Sequence, residues 1–200
     1  MDNNNILKGE LILENERARL EPLTEKHFEL LWPVAENLEL WEFTSSKIKT
    51  EAGFKKYFDT ALAEKKEGSS YPFAIYDKLY NQWAGSTRFA NISLPNNRLE
   101  IGFTWYHPAL QRTGINKACK YLLLSFGFET MNLNRVELKT STLNLKSQGA
   151  MLKIGAVKEG VFRNHIINDD GIIRHTMYFS FIKEDWPGIK ASIFNEFTSG

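Results

Sequence analysis

Two hundred residues, with 25 Lys and Arg against 24 Asp and Glu, 42% hydrophobic content and one cysteine, describe a single globular domain able to build its own core. A chain of this length buries roughly 70% of the surface it exposes when unfolded. Neither disulfides nor a structural metal is needed, and the lone Cys119 excludes an intramolecular disulfide framework and any multi-cysteine zinc site.

A net charge of +1 supplies no general attraction to nucleic acid or anionic lipid. No apolar run approaches the roughly 20 residues of a membrane span. The start MDNNNILKGE lacks the charged and apolar regions of a signal peptide, so a cytoplasmic protein is expected. Met1 to Asn5 and Thr198 to Gly200 are polar and expected to fray.

Leu11 to Leu20 has the apolar spacing of a strand, and Pro22 and Thr24 lead into a helix over His27 to Ala35 whose later turn Pro33 weakens. Thr50 is placed to cap a second helix, in which Phe54, Phe58 and Leu62 form one stripe and which Gly68 ends. Tyr71 to Tyr76, Trp83 to Ile92 and Leu99 to Tyr106 are rich in aromatic and β-branched residues, and their short connections predict an antiparallel meander.

Gly114 to Met131 is the strongest helical pattern, with Ile115, Cys119, Leu122, Leu123 and Phe126 near one face. Arg135 to Thr140 reads as a strand and Asn144 to Ile154 as a short helix closed by Gly155. Val157 to Phe162 and Thr176 to Ile182 form a last pair around Asp169-Asp170-Gly171. This order predicts an α/β fold, a mixed and mostly antiparallel sheet of about seven strands with helices on its faces.

Several common sites are absent. No two glycines stand two residues apart, so there is no Gly-x-Gly dinucleotide fingerprint, and no Gly-Lys-Ser/Thr occurs. His27, His107, His165 and His175 show no i, i+4 pair and no carboxylate cluster at ligand spacing, so no metal site is expected. What remains is Gln111-Arg112-Thr113-Gly114-Ile115-Asn116, between a strand and the strongest helix. A helix opening on such a loop offers unpaired N–H groups and a positive dipole end to a phosphate or pyrophosphate, with Lys117 able to add charge. The loop equally serves as a plain strand-to-helix turn relaxed by Gly114.

The stretch LEIGFTWYHPALQRTGINKACKYLLLSFGFE from Leu99, then NRVELKTSTLNLKSQGAMLKIGAVKEGVFR and IIRHTMYFSFIKEDW, resembles the GNAT N-acetyltransferases, most of all the RimJ/RimL-type ribosomal-protein N-terminal branch. The resemblance runs from Leu7 to Trp186. It implies one N-acetyltransferase domain over residues 7–186 and a partly helical extension over 187–200. The phosphate signature Gln/Arg-x-x-Gly-x-Gly/Ala matches at Gln111 and Gly114, while Asn116 stands where a small residue is usual, a position at which Asn tolerates unusual backbone angles. Asn144-x-x-Ser147 and Lys153-Ile154-Gly155-Ala156 form a second matching block.

The resemblance implies a sheet whose fourth and fifth strands splay apart around acetyl-CoA. Its pyrophosphate would rest on the amides of Gln111, Arg112, Thr113, Gly114, Ile115, Asn116 and Lys117. Its pantetheine would pair with the edge at Phe103, Thr104 and Trp105, and Asn144 would orient it or a water. Ser147 would lie near the departing sulfur. For both Asn144 and Ser147, capping of the helix they open is the alternative or additional role.

Glu100 is the candidate base, or else a strand glutamate paired with a lysine or arginine. Relatives carry a carboxylate where this chain has Asn164 and His165, and His165 either replaces it or is a loop histidine without a role. An α-amino group, with a reference pKa of about 7.7 to 8.0, needs less help than a lysine at about 10.4. Cys119, inside an apolar stripe, is a packing residue, which argues for direct transfer rather than a covalent enzyme intermediate. His107 shapes the turn before Pro108, and Trp32, Trp41 and Phe43 carry no assigned role.

The reading is therefore acetyl-CoA-dependent acetyl transfer to a primary amine, a protein N-terminus first. A small amine such as a polyamine, amino acid or aminoglycoside is the second acceptor, and a non-catalytic acyl-CoA-binding module the third possibility. No nucleic acid or membrane partner is expected, and a homodimer is implied by the family alone.

Overall fold

The computed structural model of the chain describes Leu7 and residues 9–198. The expectations for Met1 to Asn5 and for the last two residues lie outside them.

Among the described residues, eight strands form one open sheet in the order β1-β2-β3-β4-β5-β6-β8-β7. They are β1 (Leu13–Glu14), β2 (Ala18–Pro22), β3 (Tyr71–Asp77), β4 (Gln82–Ser93), β5 (Arg98–Tyr106), β6 (Arg135–Ser141), β7 (Val157–Ile167) and β8 (Ile173–Ile182). The eighth strand arises because the Leu11 to Leu20 stretch is a hairpin rather than one strand. Asn15 turns it, its Oδ1 accepting from the N–H groups of Arg17 at 3.0 Å and Ala18 at 2.8 Å.

Five α-helices among the described residues flank the sheet: α1 (Phe28–Ala35), α2 (Glu51–Glu67), α3 (Ile115–Ser125), α4 (Leu145–Lys153) and α5 (Trp186–Ile193). Pro33 stays inside α1. Thr50 caps α2 as expected, accepting from Gly53 N–H at 3.1 Å, and Gly68 ends it at φ +78°. The long helix is shorter than its pattern. From Phe126 to Thr130 it widens into a π turn, which keeps Phe126 and Phe128 buried while the chain swings toward β6. The final hairpin is longer than expected on both arms, because a bulge at Asn164 (φ +48°) lets β7 re-pair with β8 beyond Phe162.

Side chains alternate between two cores. Leu99, Ile101, Val136, Leu138, Phe179 and Phe181 face α3 and α5, together with Trp186 and Phe194. On the other face Phe54, Phe58 and Leu31 of α1 and α2 pack with Ala74 and Trp105. By the period of two, Arg88, Glu100, Gly102, Lys139 and Tyr178 share the face opposite α3.

Candidate active site

One strand pair is parallel. β5 and β6 run together only through Arg98, Leu99 and Glu100, opposite Arg135, Val136 and Glu137. Beyond that rung β5 keeps β4 and β6 keeps β8, and the two strands no longer pair with each other. The sheet therefore forks, and the inner edges of Ile101 to Tyr106 and of Leu138 to Ser141 are without a strand partner. These are the strands expected to splay.

A bulge sits on the β5 arm of the fork. Arg88 pairs with Gly102 and Ser86 with Trp105, so Thr87 alone faces both Phe103 and Thr104, and Phe103 takes φ +51°. Phe103 is 41% exposed. Thr104 Oγ1 lies 2.7 Å from Thr87 Oγ1 and accepts from Lys120 Nζ at 3.1 Å, while Trp105 is buried and donates through Nε1 to Tyr57 Oη at 3.3 Å. The edge at Phe103, Thr104 and Trp105 thus carries one exposed ring and two fixed side chains.

At the open end of the fork the chain turns into α3. Arg112 (φ +65°) and Gly114 (φ +95°) are the left-handed residues of this loop, and a Cβ at Gly114 would meet nothing within 4 Å. Asn116 lies inside the first turn of α3, so its tolerance of unusual angles is not what shapes the loop. The first α3 bond into this turn runs from Ala118 N–H to Gly114 O at 3.0 Å. Gln111 and Thr113 bond back to Pro108 and Leu110 at 3.2 and 3.4 Å. Among the described residues, the N–H groups of Arg112, Gly114, Ile115, Asn116 and Lys117 therefore have no acceptor.

Side chains around this turn are already engaged. Thr113 Oγ1 donates to Leu110 O at 2.7 Å and accepts from Arg17 Nη2 at 3.1 Å, and Ile115 is buried. Lys117 is ion-paired with Glu196 at 2.7 Å, so its contribution to the loop is its main-chain N–H. Gln111 accepts from Lys146 Nζ of α4 and donates to Tyr106 O at 3.4 Å, linking the two arms of the fork.

On the β6 side Asn144 caps α4, its Oδ1 accepting from Ser147 N–H at 2.9 Å, which is the structural role expected of this pair. Both residues remain half-buried beside the fork. At the vertex Glu100 is buried, and its Oε2 accepts from Asn91 Nδ2 at 2.5 Å and from Lys139 Nζ at 2.6 Å. The pairing with a lysine anticipated for Glu100 is realised, while Oε1 has no such partner. Burial lowers the Lys139 pKa, but the Glu100 carboxylate and the Tyr178 hydroxyl more than offset this and leave it raised.

His165 lies on β7 rather than in a loop, 3.3 Å from Tyr178 Oη through Nε2; burial and the charges of Lys139 and Arg174 lower its pKa. Cys119 is fully buried, and the apolar surroundings push its thiol up to about 12. His107 accepts from Ala109 N–H at 3.1 Å and shapes its turn as expected. Trp41 is core, its Nε1 bonded to Ala35 O at 2.7 Å.

The sequence reading missed Lys139, Asn91, Tyr57, Glu64 and Arg88. Arg88 carried a signal: a lone cation within an otherwise apolar and small-residue strand is either partnered or functional.

Residues 17–157 match the acetyltransferase (GNAT) domain model. YdaF of Bacillus subtilis (strain 168), provisionally named a ribosomal N-acetyltransferase, is 30% identical over 106 residues, 53% of this chain and 57% of that protein. YoaA of the same organism, named an uncharacterized N-acetyltransferase, is 27% identical over 86% of this chain and 97% of its own length. A solved GCN5-related N-acetyltransferase from Brucella melitensis superposes with a TM-score of 0.86 at 26% identity, covering 96% of this chain and 87% of that one. With its forked sheet and a family match over most of its length, this chain belongs to the GNAT acetyltransferases and is an acyltransferase.

Proposed function

We propose that the protein transfers an acetyl group from acetyl-CoA to a primary amine by direct attack, and that the acceptor is a protein N-terminal α-amino group. The observation that carries the cofactor assignment is the set of five main-chain N–H groups without acceptors at the start of α3, beside the fork. A pyrophosphate satisfies such donors, and the unpaired β5 edge accepts an extended amide chain as a further strand. The acceptor class is supported by the RimJ/RimL-like motifs of the sequence and by the name of YdaF. Residues 7–186 would form the catalytic domain, and the branch resemblance makes a homodimer the assembly to test.

Acetyl-CoA supplies an activated acetyl carbon and a thiolate leaving group. The amine nitrogen forms the new N–C bond as the C–S bond breaks. Glu100, with Oε1 free and Oε2 held by Lys139 and Asn91, accepts the amine proton directly or through water. Ser147 hydrogen-bonds the developing thiolate, whose conjugate acid has a pKa near 8.5. The α-amino acceptor, with a reference pKa of about 7.7 to 8.0, reaches its neutral form without a strong base.

Calorimetry with acetyl-CoA, followed by thiol release in the presence of N-terminal peptides and of polyamines, tests the reading. Heat on binding and peptide-dependent thiol release are expected. Binding without release for any amine would leave an acyl-CoA-binding module, and release with polyamines alone would shift the acceptor to a small amine.

A further inference from the structure

A cleft of about 240 Å³ opens on the face opposite α3, between the residue 46–48 loop, α2, β4 and the bulge of β5. Its lining includes Lys56, Tyr57, Glu64, Arg88, Phe103 and Asp169. Phe103 belongs to both this cleft and the fork, so the cleft leads to the place where the acetyl group would be offered.

Arg88 is the most unusual residue there. It is 2% exposed, and its guanidinium lies between two rings, 4.6 Å from the centroid of Tyr57 and 4.4 Å from that of Phe103. A guanidinium stacked on both faces can donate only in its own plane. Nη1 donates to Glu64 Oε2 at 3.0 Å and Nε is buried without a partner. Among the described residues Nη2 has no hydrogen-bond partner either, but unlike Nε it is not fully buried, so it is the donor that reaches the cleft.

Other charged residues also line the cleft. Lys56 is exposed and, among the described residues, unpaired, whereas the Lys47 ammonium is taken by Trp41 O at 3.3 Å and Glu42 O at 2.5 Å. Asp169 accepts from Lys47 N–H at 3.1 Å. Directly across from Arg88 stands Gly102, where a Cβ would lie 2.6 Å from Glu100 Oε1. The absence of a side chain at Gly102 lets the Glu100 carboxylate lie along β5 over the residue that pairs with Arg88. The cleft therefore offers a fixed, half-used cation, and the candidate proton acceptor Glu100 stands on the neighbouring strand, two residues before Gly102, the partner of Arg88.

We propose that the acceptor carries a carboxylate close to its reacting amine and that Arg88 receives it. This deepens the transferase reading and rests on it for the position of the amine. The carboxylate is either the α-carboxylate of a free amino acid or the acidic side chain at the start of a peptide; both offer two oxygens to an in-plane guanidinium edge.

The test pairs acceptors that differ in that group alone: an amino acid against its carboxamide, and a peptide beginning Ala-Asp against one beginning Ala-Asn. Each is titrated by calorimetry into the CoA-bound protein and assayed for thiol release with acetyl-CoA. The carboxylate member of one pair is expected to bind, and to show kcat/KM, at least about tenfold better than its partner. The pair that responds identifies the source of the carboxylate.

Arg88→Gln should erase the preference through KM while the carboxamide acceptor keeps its kcat. Glu64→Gln, which releases Nη1 from its carboxylate, should tighten carboxylate binding. Equal binding of both members in both pairs overturns the inference, as does an Arg88→Gln variant that weakens both members alike. Selective binding with no thiol release sustains the inference and instead removes the transferase reading.

Discussion

Lys139 and Glu100 clasp the fork at its vertex, Nζ of one arm lying 2.6 Å from Oε2 of the other, with Glu100 in the last parallel pairing of β5 with β6 and Lys139 two residues past Glu137, the partner of Glu100. Both are largely buried, with side-chain exposures of 16% and 9%. Removing one member of such a pair strands the other's charge, so Lys139→Met should cost about 3 kcal/mol by urea unfolding at pH 7. Lys139→Met/Glu100→Gln should recover part of it. The folded Lys139 pKa lies above the ordinary 10.5. Its contribution is therefore complete below pH 10.5 and is lost as pH rises through the folded value. The gap between wild type and Lys139→Met should hold from pH 7 to 10 and narrow only above that.

Gly114→Val should weaken acetyl-CoA binding about tenfold or more. The φ of +95° is strained for a branched residue, and its side chain would stand in the open space before the free N–H groups. Calorimetry reads the affinity; unchanged affinity would remove the loop from the cofactor site.

Ser147→Ala is expected to leave acetyl-CoA affinity within about twofold and to lower turnover at least tenfold, about 1.4 kcal/mol of transition-state stabilisation. Helix α4 should survive, because the cap bond uses the Ser147 main-chain N–H and not its hydroxyl. Turnover equal to wild type would leave the residue in a purely structural role.

Acid should unfold the protein partly through Glu159. Its hydrogen bonds with Arg135, and then Ser180, hold the carboxyl at about 2 against the usual 4.5. A depressed carboxyl stabilises the fold above pH 4.5, and this stabilisation disappears as pH falls toward 2. Glu159→Gln should be less stable than wild type at pH 6, and the difference should vanish near pH 2 in an acid titration followed by circular dichroism.

Cys119 should resist iodoacetamide in the folded protein at pH 8 and react fully once unfolded, since its thiol is buried and held at about 12. Mass spectrometry of intact protein reads this directly. Rapid labelling of the native state would reopen a covalent cysteine route.

The meander, the helix caps at Thr50 and Asn144 and the loop before α3 were legible because each is local: turn residues, apolar period and a glycine suffice. The hairpin at Asn15 and the bulges at Phe103 and Asn164 were not, because extra residues in a strand are decided by pairing across the sheet and leave the alternation almost intact. The same limit hid Lys139 and Arg88. Their partners Glu100 and Glu64 lie far away in sequence; the pairing of β5 with β6 brings Glu100 to Lys139, and the packing of α2 on the sheet brings Glu64 to Arg88.

The single parallel contact between β5 and β6 obliges the chain to cross over, and α3 is that crossover. Fork and helix start therefore come from one stretch of chain, residues 98–141, and cannot drift apart. The walls of the Arg88 cleft come mainly from α2 and the residue 46–48 loop instead. Changes in those segments can reshape that cleft while the strands that build the fork stay as they are.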